Sequence, residues 1–253
     1  MELNKKYQII YADPAWSFKG KGVYQETFPQ RKQTRKKRLV TDIYKTMSKK
    51  QIEQLPIKDI SSNDCALFLW VTDSHLKDGI ELIEKWGFTY RTIVFIWKKI
   101  TNKGNTCANI GAWTMKNYEI CLLGIKGNML KNKKANNIFQ LIEAERTIHS
   151  QKPNEARNRI IKLFGNLPRI ELFARQKTNG WDVWGNEVEN SIDLSSVIKL
   201  RKNREECEHY ATEENLFDVN CTAPFMPIKC TGVNCGKFEP ITVSAWVNKQ
   251  KLF

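Results

Sequence analysis

Apolar residues fall along this chain in short bursts separated by polar stretches, and the spacing inside the bursts alternates between strand and helix periods. The first burst, Tyr7-Gln8-Ile9-Ile10-Tyr11-Ala12, runs straight into Asp13-Pro14, which predicts a short strand ending in a rigid turn. Ser48-Lys49-Lys50-Gln51 has the form of a capping box and predicts a short helix ending near Pro56. Cys65 to Val71 is continuously apolar, as expected of a strand covered on both faces. Ser74 to Trp86 carries Leu76, Ile80 and Ile83 at helical spacing and stops at Gly87, and Thr89 to Trp97 is β-rich. Tyr118 to Ile125 predicts another buried strand. Pro153 opens a helix reaching about Phe164, where Gly165 ends it, and Ile170 to Phe173 is the last clear strand. Strand and helix thus alternate, which implies an α/β fold with a mostly parallel sheet flanked by helices. Ligands in such sheets collect at the carboxyl ends of the strands. Asp13, Lys126 and Glu171 each follow or end a strand, so one cleft is expected to gather all three.

The polar stretches divide the rest. Ser17 to Lys45 predicts a long loop carrying the run Arg31-Lys32-Gln33-Thr34-Arg35-Lys36-Lys37-Arg38, in which six of eight residues are basic. From Asn190 the periodicity fades, so residues 1–189 are expected to form the main domain and 190–253 a tail or small appendage. The net charge of +14 over 253 residues implies a polyanionic partner, and nucleic acid fits better than membrane. No apolar run has the length of a signal peptide or a spanning helix, and the seven cysteines read as reduced thiols of a cytoplasmic protein.

Asp13-Pro14-Ala15-Trp16 carries the most chemistry. An exocyclic amine on adenine is a weak nucleophile because its lone pair is delocalised into the ring. A catalyst must accept its N–H groups as hydrogen bonds and hold it in place. Asp13 and the Pro14 carbonyl are two such acceptors, with the carbonyl direction set by the fixed φ of proline. Trp16 offers a face for the base to stack on. An ordinary strand-ending turn is the plain alternative.

Further pieces follow in order: Thr46-Met47-Ser48, Leu67-Phe68-Leu69-Trp70-Val71-Thr72, Trp86-Gly87-Phe88 and Leu123-Gly124-Ile125-Lys126-Gly127-Asn128. Then come Ser150-Gln151-Lys152-Pro153-Asn154-Glu155, Arg169-Ile170-Glu171-Leu172-Phe173-Ala174-Arg175 and Trp184-Gly185-Asn186-Glu187. From about Tyr7 to Glu187 the chain resembles the adenine-N6 methyltransferases, the family of the mRNA adenosine methyltransferase catalytic subunit and of many bacterial and phage DNA methyltransferases. The resemblance implies a Rossmann-like methyltransferase fold with permuted motif order, S-adenosylmethionine as cofactor and direct methyl transfer without a metal. It implies that Asp13, Pro14, Ala15 and Trp16 are catalytic. It also implies donor contacts at Asp13, Lys126, Glu171, Leu172, Arg175, Asn186 and Glu187, with Lys126 as the cation for the donor's carboxylate. Ala15 stands where the family usually has a second Pro, Ala174 where it usually has Gly, and Glu187 where it commonly has Gln.

Arg31, Lys32, Arg35, Lys36, Lys37 and Arg38, with Lys19, would hold phosphates beside the target base, or form a solvated charge run. Lys21, Lys98, Lys99 and Lys103 could extend that surface. In the tail, Cys207, His209, Cys221, Cys230 and Cys235 could bind zinc or stay as thiols, and their spacing matches no standard site. The expected reaction is adenine-N6 methylation of DNA in a bacterial or phage-infected cell. The alternatives are the same reaction on RNA, or a non-catalytic nucleic-acid-binding subunit. The assembly expected is a homodimer or a complex with a partner subunit.

Overall fold

The computed structural model describes residues 5–16, 47–111, 113–146 and 151–194. All fall within Met1–Ile198, the first of two units into which the chain divides. In chain order the elements are β1 (Tyr7–Ala12), α1 (Lys49–Glu53), α2 (Ile57–Ile60), β2 (Ser61–Val71), α3 (Leu76–Lys85), β3 (Thr89–Ile100), β4 (Asn109–Ile110), β5 (Met115–Lys116), β6 (Tyr118–Lys126), β7 (Leu141–Glu145), α4 (Asn154–Phe164), β8 (Arg169–Leu172) and β9 (Asp182–Trp184). Seven strands form one sheet in the order β7-β3-β6-β2-β1-β8-β9, and β4 and β5 form a separate hairpin.

β1 lies at the heart of the sheet because it can be buried on both sides. Ile9 and Tyr11 join the α4-side core with Phe68, Trp70, Ile160 and Phe164. Ile10 and Ala12 join the opposite core with Leu67, Leu69, Ile83 and Trp86. The period of two in β1 and β2 therefore divides one apolar run between two cores. The Ser48 capping box is present: the Gln51 N–H donates to Ser48 Oγ at 3.3 Å, and the Ser48 N–H to Gln51 Oε1 at 2.8 Å.

The sheet is mostly parallel, as expected. β1 pairs in parallel with β2 and β8, β8 with β9, and β3 with β7. The exception is β6, antiparallel to both β2 and β3. The connection from β3 to β6 carries a hairpin and no helix among its described residues, so the chain returns alongside β3 in the reverse sense. That reversal moves Lys126. It pairs with Cys65 near the start of β2, at the amino edge of the parallel strands, while Asp13 stands at their carboxyl edge. β7 and β9 also go beyond the expected strands: Ile170 to Phe173 is not the last strand, because β9 adds three residues outside β8.

Candidate active site

Asp13 leaves the carboxyl end of β1 with its neighbours already fixed. Lys152 Nζ donates to Asp13 Oδ2 at 2.6 Å and lies 3.1 Å from Glu119 Oε2. Lys99 Nζ donates to the other Glu119 oxygen at 2.5 Å. The result is a chain of alternating charge, Lys99–Glu119–Lys152–Asp13, with Lys152 7% and Glu119 12% exposed but Asp13 25% exposed. Trp70 and Trp97 back it, with Lys152 Nζ 5.7 Å from the Trp70 ring centroid and Lys99 Nζ 5.2 Å from that of Trp97. The open end of the chain is the Asp13 carboxylate.

Burial and charge pull these groups in different directions. Burial pushes the Asp13 carboxyl above its ordinary range, against the pull of Lys152, and Glu119 adds to the rise. Burial alone would raise Glu119, but Lys152 and Lys99 hold it below its ordinary range. Burial would lower Lys152, and its two carboxylates outweigh that, so it stays charged.

Pro14 and Trp16 shape the turn beyond Asp13. The Trp16 N–H donates to the Pro14 carbonyl at 2.8 Å, leaving that oxygen one further lone pair for a ligand. Trp16 is not the open stacking face expected from its sequence position. It is 7% exposed, its Nε1 donates to the Trp70 carbonyl at 3.3 Å, and its ring stacks on His75 with centroids 5.3 Å apart. The indole wedges the turn into the core because its N–H finds a carbonyl at the end of β2. Ala15 is half-buried between them.

The ends of β8 and β9 form the other flank. Phe173 follows β8 with φ 62°, a strained conformation for a bulky residue, and its ring meets Trp184 edge-on. The Ala174 N–H donates to the Trp184 carbonyl at 3.0 Å, and Gly185 comes so close that a Cβ there would lie 2.1 Å from the Ala174 oxygen. The Gly185 N–H donates to Asn190 Oδ1 at 2.7 Å, which closes the loop carrying exposed Asn186 and Glu187. Arg175, half-buried, is near enough to lower the Asp13 carboxyl. At about 4.8 Å per strand, β1 and β9 stand about 10 Å apart, room for a nucleoside-sized ligand across the strand ends.

The sequence over these same elements is similar to that of known proteins. Residues 7–187 match the model of the MT-A70 family. The chain belongs to the MT-A70 family. Over 206 residues it is 35% identical to Type II methyltransferase M.MunI of Mycoplasma sp, covering 79% of this chain and 86% of that one. It is 31% identical over 209 residues to the N(6)-adenosine-methyltransferase MT-A70-like of Arabidopsis thaliana, and 28% over 210 residues to N(6)-adenine-specific methyltransferase METTL4 of Homo sapiens. The chain spans 26% and 39% of those two proteins.

Every residue of the charged chain lies inside the MT-A70 match, as do Arg175, Asn186 and Glu187. Of the expected donor contacts, Lys126 stands at the opposite edge, whereas Glu171 and Leu172 end β8 beside Tyr11 and Ala12 with their side chains engaged in the fold. Lys126 Nζ donates to Ser61 Oγ at 2.9 Å, and the following Gly127, at φ 66°, packs its α-carbon against Asn63 and Asp64, where a Cβ would come within 2.2 Å of Asp64 Oδ1. The Lys126 turn is thus a structural closure of the amino edge. Glu171 is paired by Arg157, Nε to Oε2 at 2.8 Å and Nη2 to Oε1 at 2.5 Å, on the α4 face. Leu172 is fully buried in the α3-side core.

Lys152 and Glu119 are the site residues that sequence reasoning missed. Lys152 sits directly before the helix-opening Pro153, and that proline explained the segment without it. Glu119 is the one carboxylate in the apolar run from Tyr118 to Ile125, an anomaly inside a buried strand that pointed to a charged partner. Lys99 belongs to this chain and not to a basic surface, and Lys98 is paired with Glu143. Lys19, Lys21, Arg31, Lys32, Arg35, Lys36, Lys37, Arg38 and the tail cysteines lie outside the described residues. Among those described, no three metal-type side chains gather, and no helix is long and apolar enough to cross a membrane.

Proposed function

We propose that the protein is an S-adenosylmethionine-dependent methyltransferase that methylates the N6 amine of adenine in DNA. The observation that carries this reading is the Asp13 carboxylate, held by Lys152 yet one-quarter exposed at the carboxyl end of the central strand. The donor set fits the cofactor: Lys152 provides the cation for its carboxylate, Asp13 an acceptor for its ammonium, and Arg175, Asn186 and Glu187 polar contacts for its ribose. S-adenosylmethionine, when bound there, supplies an activated methyl group on a sulfonium.

Asp13 and the free lone pair of the Pro14 carbonyl accept the two N–H groups of adenine N6. Two fixed acceptors orient the amine for in-line attack, and alignment of this kind supplies most of the rate. The proton lost from N6 passes to Asp13, whose affinity for a proton burial has raised. In duplex DNA the adenine must first leave the stack.

DNA is preferred over RNA because the chain is 35% identical to the Type II methyltransferase and 31% identical to the Arabidopsis adenosine methyltransferase. The basic loop at 31–38 and residues 190–253 belong to this proposal as phosphate-holding and appended segments, in a cytoplasmic protein. A non-catalytic subunit has no use for a charged chain that ends open at Asp13.

The test is transfer of labelled methyl from S-adenosylmethionine to duplex DNA, single-stranded DNA and RNA of matched sequence. Label in DNA adenine is expected. Label in RNA alone overturns the substrate, and heatless titration with S-adenosylmethionine overturns the enzyme.

A further inference from the structure

Trp113 is 97% exposed, at the turn of the β4–β5 hairpin. Among the described residues the other tryptophans pack into the fold, with Trp16, Trp70, Trp86, Trp97 and Trp181 all buried and Trp184 half-buried. An indole has a large apolar area, and water is its least favourable surrounding. Its neighbours extend the patch: Ile110 is 43%, Met115 57% and Tyr118 45% exposed.

The hairpin stands at the edge that carries Asp13. β6 begins at Tyr118, and its second residue is Glu119 of the charged chain. Three contacts tie the base of the hairpin to this edge. Lys116 pairs with Asp73, just past the end of β2, the Lys99 N–H donates to the Asn117 carbonyl at 2.9 Å, and the Cys107 N–H donates to the Lys99 carbonyl at 2.8 Å. The turn itself is tight, closed by the Gly111 N–H to the Thr114 carbonyl at 3.1 Å. Trp113 therefore projects from a fixed base, six residues from Glu119 and at most about 20 Å of chain away.

Residues 101–118 contain no Asp or Glu, while Lys103, Lys116 and four asparagines, Asn102, Asn105, Asn109 and Asn117, lie among them. Lys116 is neutralised by Asp73, but an exposed aromatic together with amides and the Lys103 ammonium complements a polyanion with flat bases. A protein-docking patch has no need to exclude carboxylates.

We propose that the β4–β5 hairpin is a nucleic-acid contact and that Trp113 stacks on a base near the target adenine. The hairpin rests on the reading of the chain as a nucleic-acid methyltransferase and adds to it a second aromatic contact, outside the catalytic turn.

The full-length protein, W113A and W113F are titrated into short fluorescein-labelled single-stranded and duplex DNA, followed by anisotropy over a range of salt. W113A is expected to bind about tenfold to a hundredfold more weakly, the loss of one base–aromatic stack. W113F is expected to retain most of the affinity. The slope of log Kd against log salt stays the same, because no charge has been removed. Thermal midpoint and the heat of S-adenosylmethionine binding stay at wild-type values, because the side chain touches neither core nor cleft. An unchanged Kd in W113A overturns the proposal. So does a wild-type dimer that W113A turns into a monomer without change in Kd, which would assign the patch to a second copy of the chain. A wild type that binds DNA but gives no heat with S-adenosylmethionine overturns the methyltransferase reading and leaves the Trp113 comparison standing.

Discussion

Two sets of charges are buried on the α4 side of the sheet, and they are built differently. Arg157 and Glu171 face each other through two parallel hydrogen bonds, and Asn154 Oδ1 takes a third guanidinium N–H at 3.0 Å. Arg157 also lies over the Tyr11 ring, 5.2 Å from its centroid. Each guanidinium nitrogen of that pair donates and both carboxylate oxygens accept, so it serves the fold. The chain Lys99–Glu119–Lys152–Asp13 is joined by single ammonium contacts, and its last carboxylate is partly open. An ammonium is a point charge that can change partner by rotating, whereas a guanidinium fork is bound to one geometry. The difference separates a strut from a site that can exchange a contact with a ligand.

The largest expected effect tests the strut. Arg157→Ala leaves Glu171 charged and buried, and is expected to cost about 3–5 kcal/mol of stability in urea denaturation. Arg157→Met combined with Glu171→Leu is expected to recover most of it, because no charge is then stranded. If the single substitution left stability unchanged, the two clusters would not differ as described.

Next comes the open end. Asp13→Ala is expected to lower methyl transfer by on the order of 10²–10³-fold, the cost of one preorganised contact to a reacting group. Its unfolding free energy should move little, because Lys152 keeps Glu119. An equal loss of stability and activity would make Asp13 another strut.

Glu119→Gln sharpens the comparison through pH. A carboxyl held below its ordinary value of 4.5 contributes stability that is present above that value and is lost as the pH falls through the folded value. The variant should therefore be less stable than wild type at neutral pH by about 1.5–3 kcal/mol, with the gap closing below about pH 4.5. Asp13, raised by burial, works in the opposite sense: its ionisation costs stability as the pH climbs past its ordinary 3.8. Urea midpoints across the acid range for wild type and variant separate the two.

Lys126→Ala has the smallest expected effect. Its partner is Ser61, part of the amino edge, so stability should change by no more than about 0.5 kcal/mol and methyl transfer by no more than about twofold. A large loss of S-adenosylmethionine binding would return Lys126 to the cleft and contradict the direction of β6.

What the sequence by itself determined was local. The apolar run of β1, the turn at Asp13-Pro14, the capping box at Ser48 and the helix opened at Pro153 all follow from neighbours within a few residues. So does the class of fold, since alternating strand and helix periods leave few ways to bury both faces of a sheet. Tertiary structure decided the rest. A strand pattern reports which faces are covered but not which way the strand runs, so Lys126 was legible as a strand-ending lysine and not as a residue of the far edge. Trp16 was legible as an aromatic beside Asp13, and only the Trp70 carbonyl and the His75 ring made it part of the core. Lys152 and Glu119 are 33 residues apart in the chain and carry no shared local signature. Their charges become a site because β6 and the segment before α4 bring them to the end of β1, where burial makes each need the other.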